Sequence, residues 1–161
     1  MRIGVISDTH GLLRATVLPA LQGCDHILHA GDVGDPSILT SLRAIAPVTA
    51  IRGNIDRTGP CASLPTTEAV PLAGRLFYLV HSIDDLDLTP AAAGIAAVLY
   101  GHSHQPAIDW KDGILFFNPG SAGPRRFRLP ITLGILECAP SALKPHILFL
   151  ESTDQEIEDR A

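Results

Sequence analysis

The chain has 161 residues, 46% of them apolar and 18% charged, enough to bury a substantial core within one domain. A net charge of −5 at pH 7 excludes a general nucleic-acid binder, and no run approaches the ~20 apolar residues that span a bilayer. The opening apolar run ends at Asp8, too soon for a secretory signal. These features predict a soluble, cytoplasmic protein with one domain over 1–161 and a polar tail from about residue 152.

In chain order, "RIGVI" (2–6) is an apolar run that stops at "SDTH". Such runs, bounded by turn residues, read as buried strands. Residues 11–23 have helical apolar spacing, with Pro19 as a kink or end. "HILHA" (26–30) stops at Gly31-Asp32. A helix follows over 35–47, with Asp35 as N-cap and Pro36 at its first position. "VTAIR" (48–52) stops at Gly53-Asn54. Residues 68–80 read as a hairpin turning at Ala73-Gly74, whose second strand, "LFYLV", stops at His81. Thr89 and Pro90 open a predicted helix over 89–98, with Gly94 inside it. "AAVLY" (96–100) stops at "GHSH" (101–104). Residues 107–117 read as a hairpin turning at Asp112-Gly113, and "ILFF" (114–117) stops at "NPGS". "ITLGILE" and "HILFLE" form an antiparallel pair across "CAPSALKP".

Parallel-type strands early and hairpins later predict an α/β fold: two mixed β-sheets packed as a β-sandwich, flanked by α-helices. Cys24, Cys61 and Cys138 are odd in number and widely spaced, so they read as small buried hydrophobes. His29, inside an apolar strand, reads as a hydrogen-bonded core histidine.

In open α/β sheets, ligands bind beyond the carboxyl ends of the strands. The polar residues there are Asp8, His10, Asp32, Asn54, His81, His102 and His104. Two carboxylates, one amide and four imidazoles make a mixed N/O set without thiolate, which suits Mn²⁺, Fe or Zn²⁺. Seven donors exceed the need of one tetrahedral ion, so two ions sharing a carboxylate is the economical arrangement. Asp8 and His10 are two apart, as are His102 and His104, so each pair can point one way. Singly, "DTH" is an N-cap pattern and "GD" and "GN" are turns; the order and the shared placement carry the reading.

The blocks "DTH" (8–10), "GD" (31–32), "GN" (53–54), His81 and "GHSH" (101–104) resemble the signature of the calcineurin-like metallophosphoesterases, especially their small bacterial and archaeal phosphodiesterase branch. "NPGSAGPRR" (118–126) is similar to that branch's closing loop. The resemblance covers roughly residues 1–137. It implies that Asp8, His10 and His104 hold one divalent ion, that Asn54, His81 and His102 hold the other, and that Asp32 bridges them. The ions expected by resemblance are Mn²⁺ first, with Fe, Zn²⁺, Ni²⁺ or Mg²⁺ as alternatives. Two such ions about 3.5–4 Å apart would clamp a phosphate ester and supply hydroxide for in-line attack. Asp32, Asn54 and His102 are then the catalytic candidates. Arg125 and Arg126 are candidates for binding a small phosphate-ester substrate, because Arg presents a planar fork of donors. Relatives of this size often self-associate, which implies a homo-oligomer.

The chain departs from the pattern at two places. The family's more elaborate phosphatases carry His straight after the ligand Asn; here the residue is Ile55. Where the small branch often reads "HGH", this chain reads "HSI", with Ile83 in place of the second His. A retromer branch of the fold also lacks the His after Asn and serves chiefly in protein interaction. A metal-holding scaffold of low or no activity is therefore the alternative to an enzyme.

Overall fold

A computed structural model describes residues 1–150; the tail expected from about residue 152 lies outside the described residues. The strands in chain order are β1 (Arg2–Ile6), β2 (His26–His29), β3 (Val48–Ala50), β4 (Thr67–Leu72), β5 (Arg75–Val80), β6 (Ile95–Leu99), β7 (Ala107–Lys111), β8 (Ile114–Asn118), β9 (Thr132–Ala139) and β10 (Ala142–Phe149). They form two five-stranded mixed sheets, ordered β10-β9-β1-β2-β3 and β4-β5-β6-β8-β7. Within them, β1, β2 and β3 run parallel, as do β5, β6 and β8.

Alternation along the strands decides what lies between the sheets. Ile3 and Val5 of β1 point inward and meet Phe77 and Leu79 of β5 and Phe117 of β8 in a fully buried layer. Ile6 points the other way, into a cluster with Ile27 and residues of two helices. Those helices are α1 (Val17–Ala20) and α2 (Pro36–Arg43). The side chain of Asp35 caps α2 by accepting from the Ser37 amide at 2.8 Å, and Pro36 opens it. Ile38, Leu39 and Leu42 are the buried stripe.

Two expected helices differ. The first is only Val17–Ala20, because residues 10 and 11 are engaged elsewhere: the amides of His10 and Gly11 donate to the carbonyls of Asp32 and Val33, both at 2.9 Å. The second, over 89–98, is a single turn. Gly94 has φ +70° and the Ile95 amide donates back to Pro90 O at 3.0 Å, which closes the turn as a left-handed cap. β-branched Ile95 then starts β6. The outer face of the second sheet is consequently covered by irregular chain, with Ile83, Leu86 and Leu88 packed on Tyr78, Val98 and Ile114.

The β9–β10 hairpin extends into "CAPSALKP", so its strands meet across Pro140 and Ser141. The three cysteines are buried thiols and His29 is fully buried. Among the described residues, no helix is long and apolar enough to cross a membrane.

Candidate metal centre

The carboxyl ends of β1, β2, β3, β5 and β6 converge at one edge of the sandwich. Backbone bonds lock their loops together: Asp8 N to Gly31 O at 3.0 Å, Gly101 N to His81 O at 2.9 Å, and Ala122 N to Ser7 O at 3.2 Å. Here the chain departs from ordinary geometry. Asp8, His10, Asp32, His102 and His104 all have positive φ, between 46° and 70°. Left-handed backbone costs a non-glycine residue of order 1–3 kcal/mol and persists only where the surroundings enforce it, typically at functional sites.

The seven residues singled out in the sequence stand side by side. Asp8 Oδ1 lies 3.3 Å from His104 Nε2 and 3.6 Å from His10 Nε2, and the two imidazole nitrogens are 3.2 Å apart. Asp32 Oδ2 lies 3.5 Å from His10 Nε2 and 3.3 Å from His81 Nε2. Asn54 Oδ1 is 3.1 Å from both His81 Nε2 and His102 Nδ1. Asp8, Asp32, His81 and His104 are buried; His102 is exposed.

The other atoms of these side chains are held from behind. Asp8 Oδ2 accepts from Ser7 Oγ at 2.6 Å and from the His102 amide at 3.0 Å. Asp32 Oδ1 accepts from the Ile55 amide at 3.0 Å. His81 Nδ1 is 2.7 Å from Ala30 O, so it carries the proton and leaves the Nε2 lone pair facing the site. Serines 7 and 121 act as braces: Ser121 Oγ donates to Asp8 O at 2.9 Å. Fully buried His29 completes the frame. It accepts from the Gly31 amide at Nδ1 and bonds Thr9 Oγ1 at Nε2.

The donor set fits a cation. Three buried side-chain polar atoms among the described residues have no hydrogen-bond partner, and two of them, Asp8 Oδ1 and His104 Nδ1, belong here. A carboxylate oxygen left bare in a dry pocket and faced by imidazole nitrogens is costly unless something positive is shared among them. Two groups are close enough to hold an ion: Asp8, His10 and His104, and Asp8, Asp32 and His81. Electrostatics agree. Burial opposes ionisation of Asp8, but the imidazoles of His10 and His104 and the Ser7 hydroxyl outweigh it and hold the carboxyl well below the usual range. For Asp32, burial is likewise outweighed, by His81 and the Ile55 amide. His81 moves upward, burial being outweighed by Asp32 and Asp8. Both carboxylates thus stay ionised.

A cavity of about 760 Å³ opens beside Asn54, His81 and His102, with Arg52, Arg57 and Tyr78 in its walls. Arg125 and Arg126 are exposed and do not line it; Arg125 donates to Leu129 O at 3.3 Å. Their loop does reach the centre, since Gly123 packs against the carbonyls of Asp8 and Thr9. Ile83 packs into the outer core of the second sheet instead of facing the site. Sequence reasoning missed Asp56, Arg52 and Arg57. For Arg52 and Arg57 the available signal was the pair of charges flanking the Gly53-Asn54 turn in "IRGNIDR".

Comparison with known proteins gives a consistent set of likenesses. A family model for the "Calcineurin-like phosphoesterase superfamily domain" matches residues 1–141. The chain is 35% identical over 133 residues to a "Probable metallophosphoesterase" of Methanothermobacter thermautotrophicus, covering 75% of this chain and 77% of the relative. It is 28% identical over 161 residues to "Phosphodiesterase YfcE" of Escherichia coli, covering 85% and 88%. In structure it is similar to Vps29 of Chaetomium thermophilum, with a TM-score of 0.80 at 19% identity over 96% of this chain and 91% of that one, a likeness of fold.

Proposed function

The chain belongs to the calcineurin-like phosphoesterase superfamily, and on that premise we propose that it is a metal-dependent phosphoesterase acting on phosphodiesters or small phosphate monoesters. One observation carries the reading. A single oxygen, Asp32 Oδ2, faces a histidine of each cluster, His10 at 3.5 Å and His81 at 3.3 Å, while its partner oxygen is tied back by the Ile55 amide. That placement suits a carboxylate shared between two ions, and Asp8 Oδ1, which faces His10 at 3.6 Å and His81 at 3.9 Å, stands close behind it. In this reading Asp8, His10 and His104 hold one ion, Asn54, His81 and His102 hold the other, and Asp32 belongs to both. The N/O donors favour Mn²⁺, with Fe, Zn²⁺, Ni²⁺ or Mg²⁺ as alternatives. When bound, the pair supplies Lewis acidity at the phosphoryl oxygens and brings the pKa of water near 7.

The chain's own residues do the rest. The buried carboxylates stay ionised and the neutral face of His81 is fixed by Ala30. His102, exposed at the cavity mouth, and Asn54 meet the incoming ester. Arg52 and Arg57 stand in the cavity wall among Asp56, Asp84, Asp85 and Asp87, where they are the cationic groups available to an ester's phosphate; Arg125 and Arg126 remain candidates on the neighbouring loop after Gly123. A cavity of about 760 Å³ exceeds what a lone phosphate fills, which favours a substrate with an additional organic arm. The decisive test is hydrolysis of an aryl phosphodiester by Mn²⁺-loaded protein. Asp32→Ala and Asn54→Ala should each lower kcat/KM by at least about 10²-fold; equal rates for wild type and Asp32→Ala overturn the proposal. Ile55 supports a second reading, a metal-holding interaction scaffold, and full metal occupancy with no turnover of any phosphate ester would favour it.

A further inference from the structure

Asp56 is 3% exposed, and no part of the reading above gives it a task. Its carboxylate accepts three backbone amides: Val33 at 3.0 Å and Gly53 at 2.9 Å on Oδ2, and Gly34 at 2.9 Å on Oδ1. Two of these donors belong to the loop after β2 that carries Asp32. The third belongs to the loop after β3 that carries Asn54. Asp32 returns the exchange by accepting from the Ile55 amide. The two loops are therefore braced reciprocally, each lending a carboxylate to the other's backbone. Arg57 tightens the same turn, with Nε donating to Asn54 O at 2.7 Å.

We infer that Asp56 is a positioning residue that fixes Asp32 and Asn54 relative to each other and so sets the affinity of the ion on the Asn54, His81 and His102 side. The inference rests on the dinuclear reading. A buried carboxylate is costly to retain, and charge-assisted bonds to backbone amides are its compensation. Outer partners of this kind change metal affinity by about 10–100-fold when removed. The effect falls unequally on the two ions. The Asn54-side ion takes two of its ligands from the braced loops. The other takes only Asp32 from them; His104 stands on a separate loop, and Asp8 and His10 reach the braced loop only through their backbone amides, on Gly31 O and Asp32 O.

The experiment is a calorimetric Mn²⁺ titration of metal-free full-length wild type, Asp56→Asn and Asp56→Ala, with circular dichroism at 25 °C and aryl phosphodiester hydrolysis at rising Mn²⁺. Asparagine has one acceptor oxygen and must set its NH₂ against an amide donor, so it restores only part of the brace. The expected result is two binding steps in wild type. In Asp56→Ala one step weakens by about 10–100-fold and the other by less than threefold, with Asp56→Asn in between. Hydrolysis should shift to higher Mn²⁺ and recover in large part at saturation. Unchanged affinities in folded variants overturn the inference alone. Equal weakening of both steps also overturns it, as does loss of folding in both variants, which would make the brace a support for the whole domain. A wild type that takes up no Mn²⁺ overturns the functional reading and this inference together.

Discussion

Gly53→Ala is a one-carbon test of how closely the two ligand-bearing loops must approach. A Cβ at this position would stand 2.0 Å from Asp32 Oδ1, 2.4 Å from the Asp32 amide nitrogen and 2.7 Å from Asp32 Cγ. Ordinary contact begins at 3.4 Å, so the carboxylate oxygen must retreat by about 1.4 Å. Rotation of the side chain alone gives no relief, because the nitrogen is backbone. The loops must part, and the 3.0 Å bond from the Ile55 amide to Asp32 goes with them. Misplacing a reacting group by about 1 Å costs about 10²-fold in rate. Overfilling a packed region costs about 1–3 kcal/mol, a drop in Tm of about 2–12 °C for a chain of this length. The expected outcome is a folded variant with a lowered Tm and at least 10²-fold lower kcat/KM on an aryl phosphodiester at saturating Mn²⁺. If the variant keeps its rate within threefold of wild type, the loops can part without consequence and the placement argument for Asp32 is wrong.

Two further outcomes follow from the same geometry. Ile55 is 43% exposed, so histidine fits there, and a positioned acid adds about 10²–10⁴-fold where the leaving group needs a proton. Ile55→His should therefore raise turnover of alkyl phosphodiesters at least about 10-fold and leave aryl substrates nearly unchanged; no change with alkyl esters refutes the role assigned to that position. Burial pushes the fully buried His29 down to about 4, against 6.5 in an unfolded chain. The unfolded state binds this proton first as pH falls, so the stability His29 contributes is whole above pH 6.5 and is lost toward pH 4, about 3 kcal/mol in all. Denaturant unfolding from pH 7 to pH 4 should show a shallower loss of stability for His29→Gln than for wild type, and parallel curves would disprove it.

What the sequence revealed and what it hid divide along physical lines. Asp8, Asp32, Asn54 and the strand-end histidines were legible because strand ends are marked by abrupt changes of residue type. The sheets were legible because β-branched runs stop cleanly. The predicted helix at 89–98 failed because alanine spacing is neutral between a helix and a single turn, and Gly94 ends that turn after Ala93. Asp56 left no signal, since a carboxylate collecting backbone amides from a loop 22 and 23 residues away has no local pattern. Positive φ at His10, His102 and His104 was equally hidden, because histidine does not advertise that conformation as glycine does.

The strand order has a consequence for how the protein comes into being on the ribosome. β1 lies between β2 and β9, and Arg2 pairs with Glu137, so the first sheet cannot close until nearly the whole chain has emerged. The proposed ligands divide the same way, with Asp8, His10, Asp32 and Asn54 from the first sheet and His81, His102 and His104 from the second. Pairing over such separations is slow, because loop closure must precede its reward. A nascent chain presenting only Asp8, His10, Asp32 and Asn54 offers an incomplete cage, so metal capture comes after synthesis. On the dinuclear reading proposed above, each ion would tie together side chains carried by both sheets.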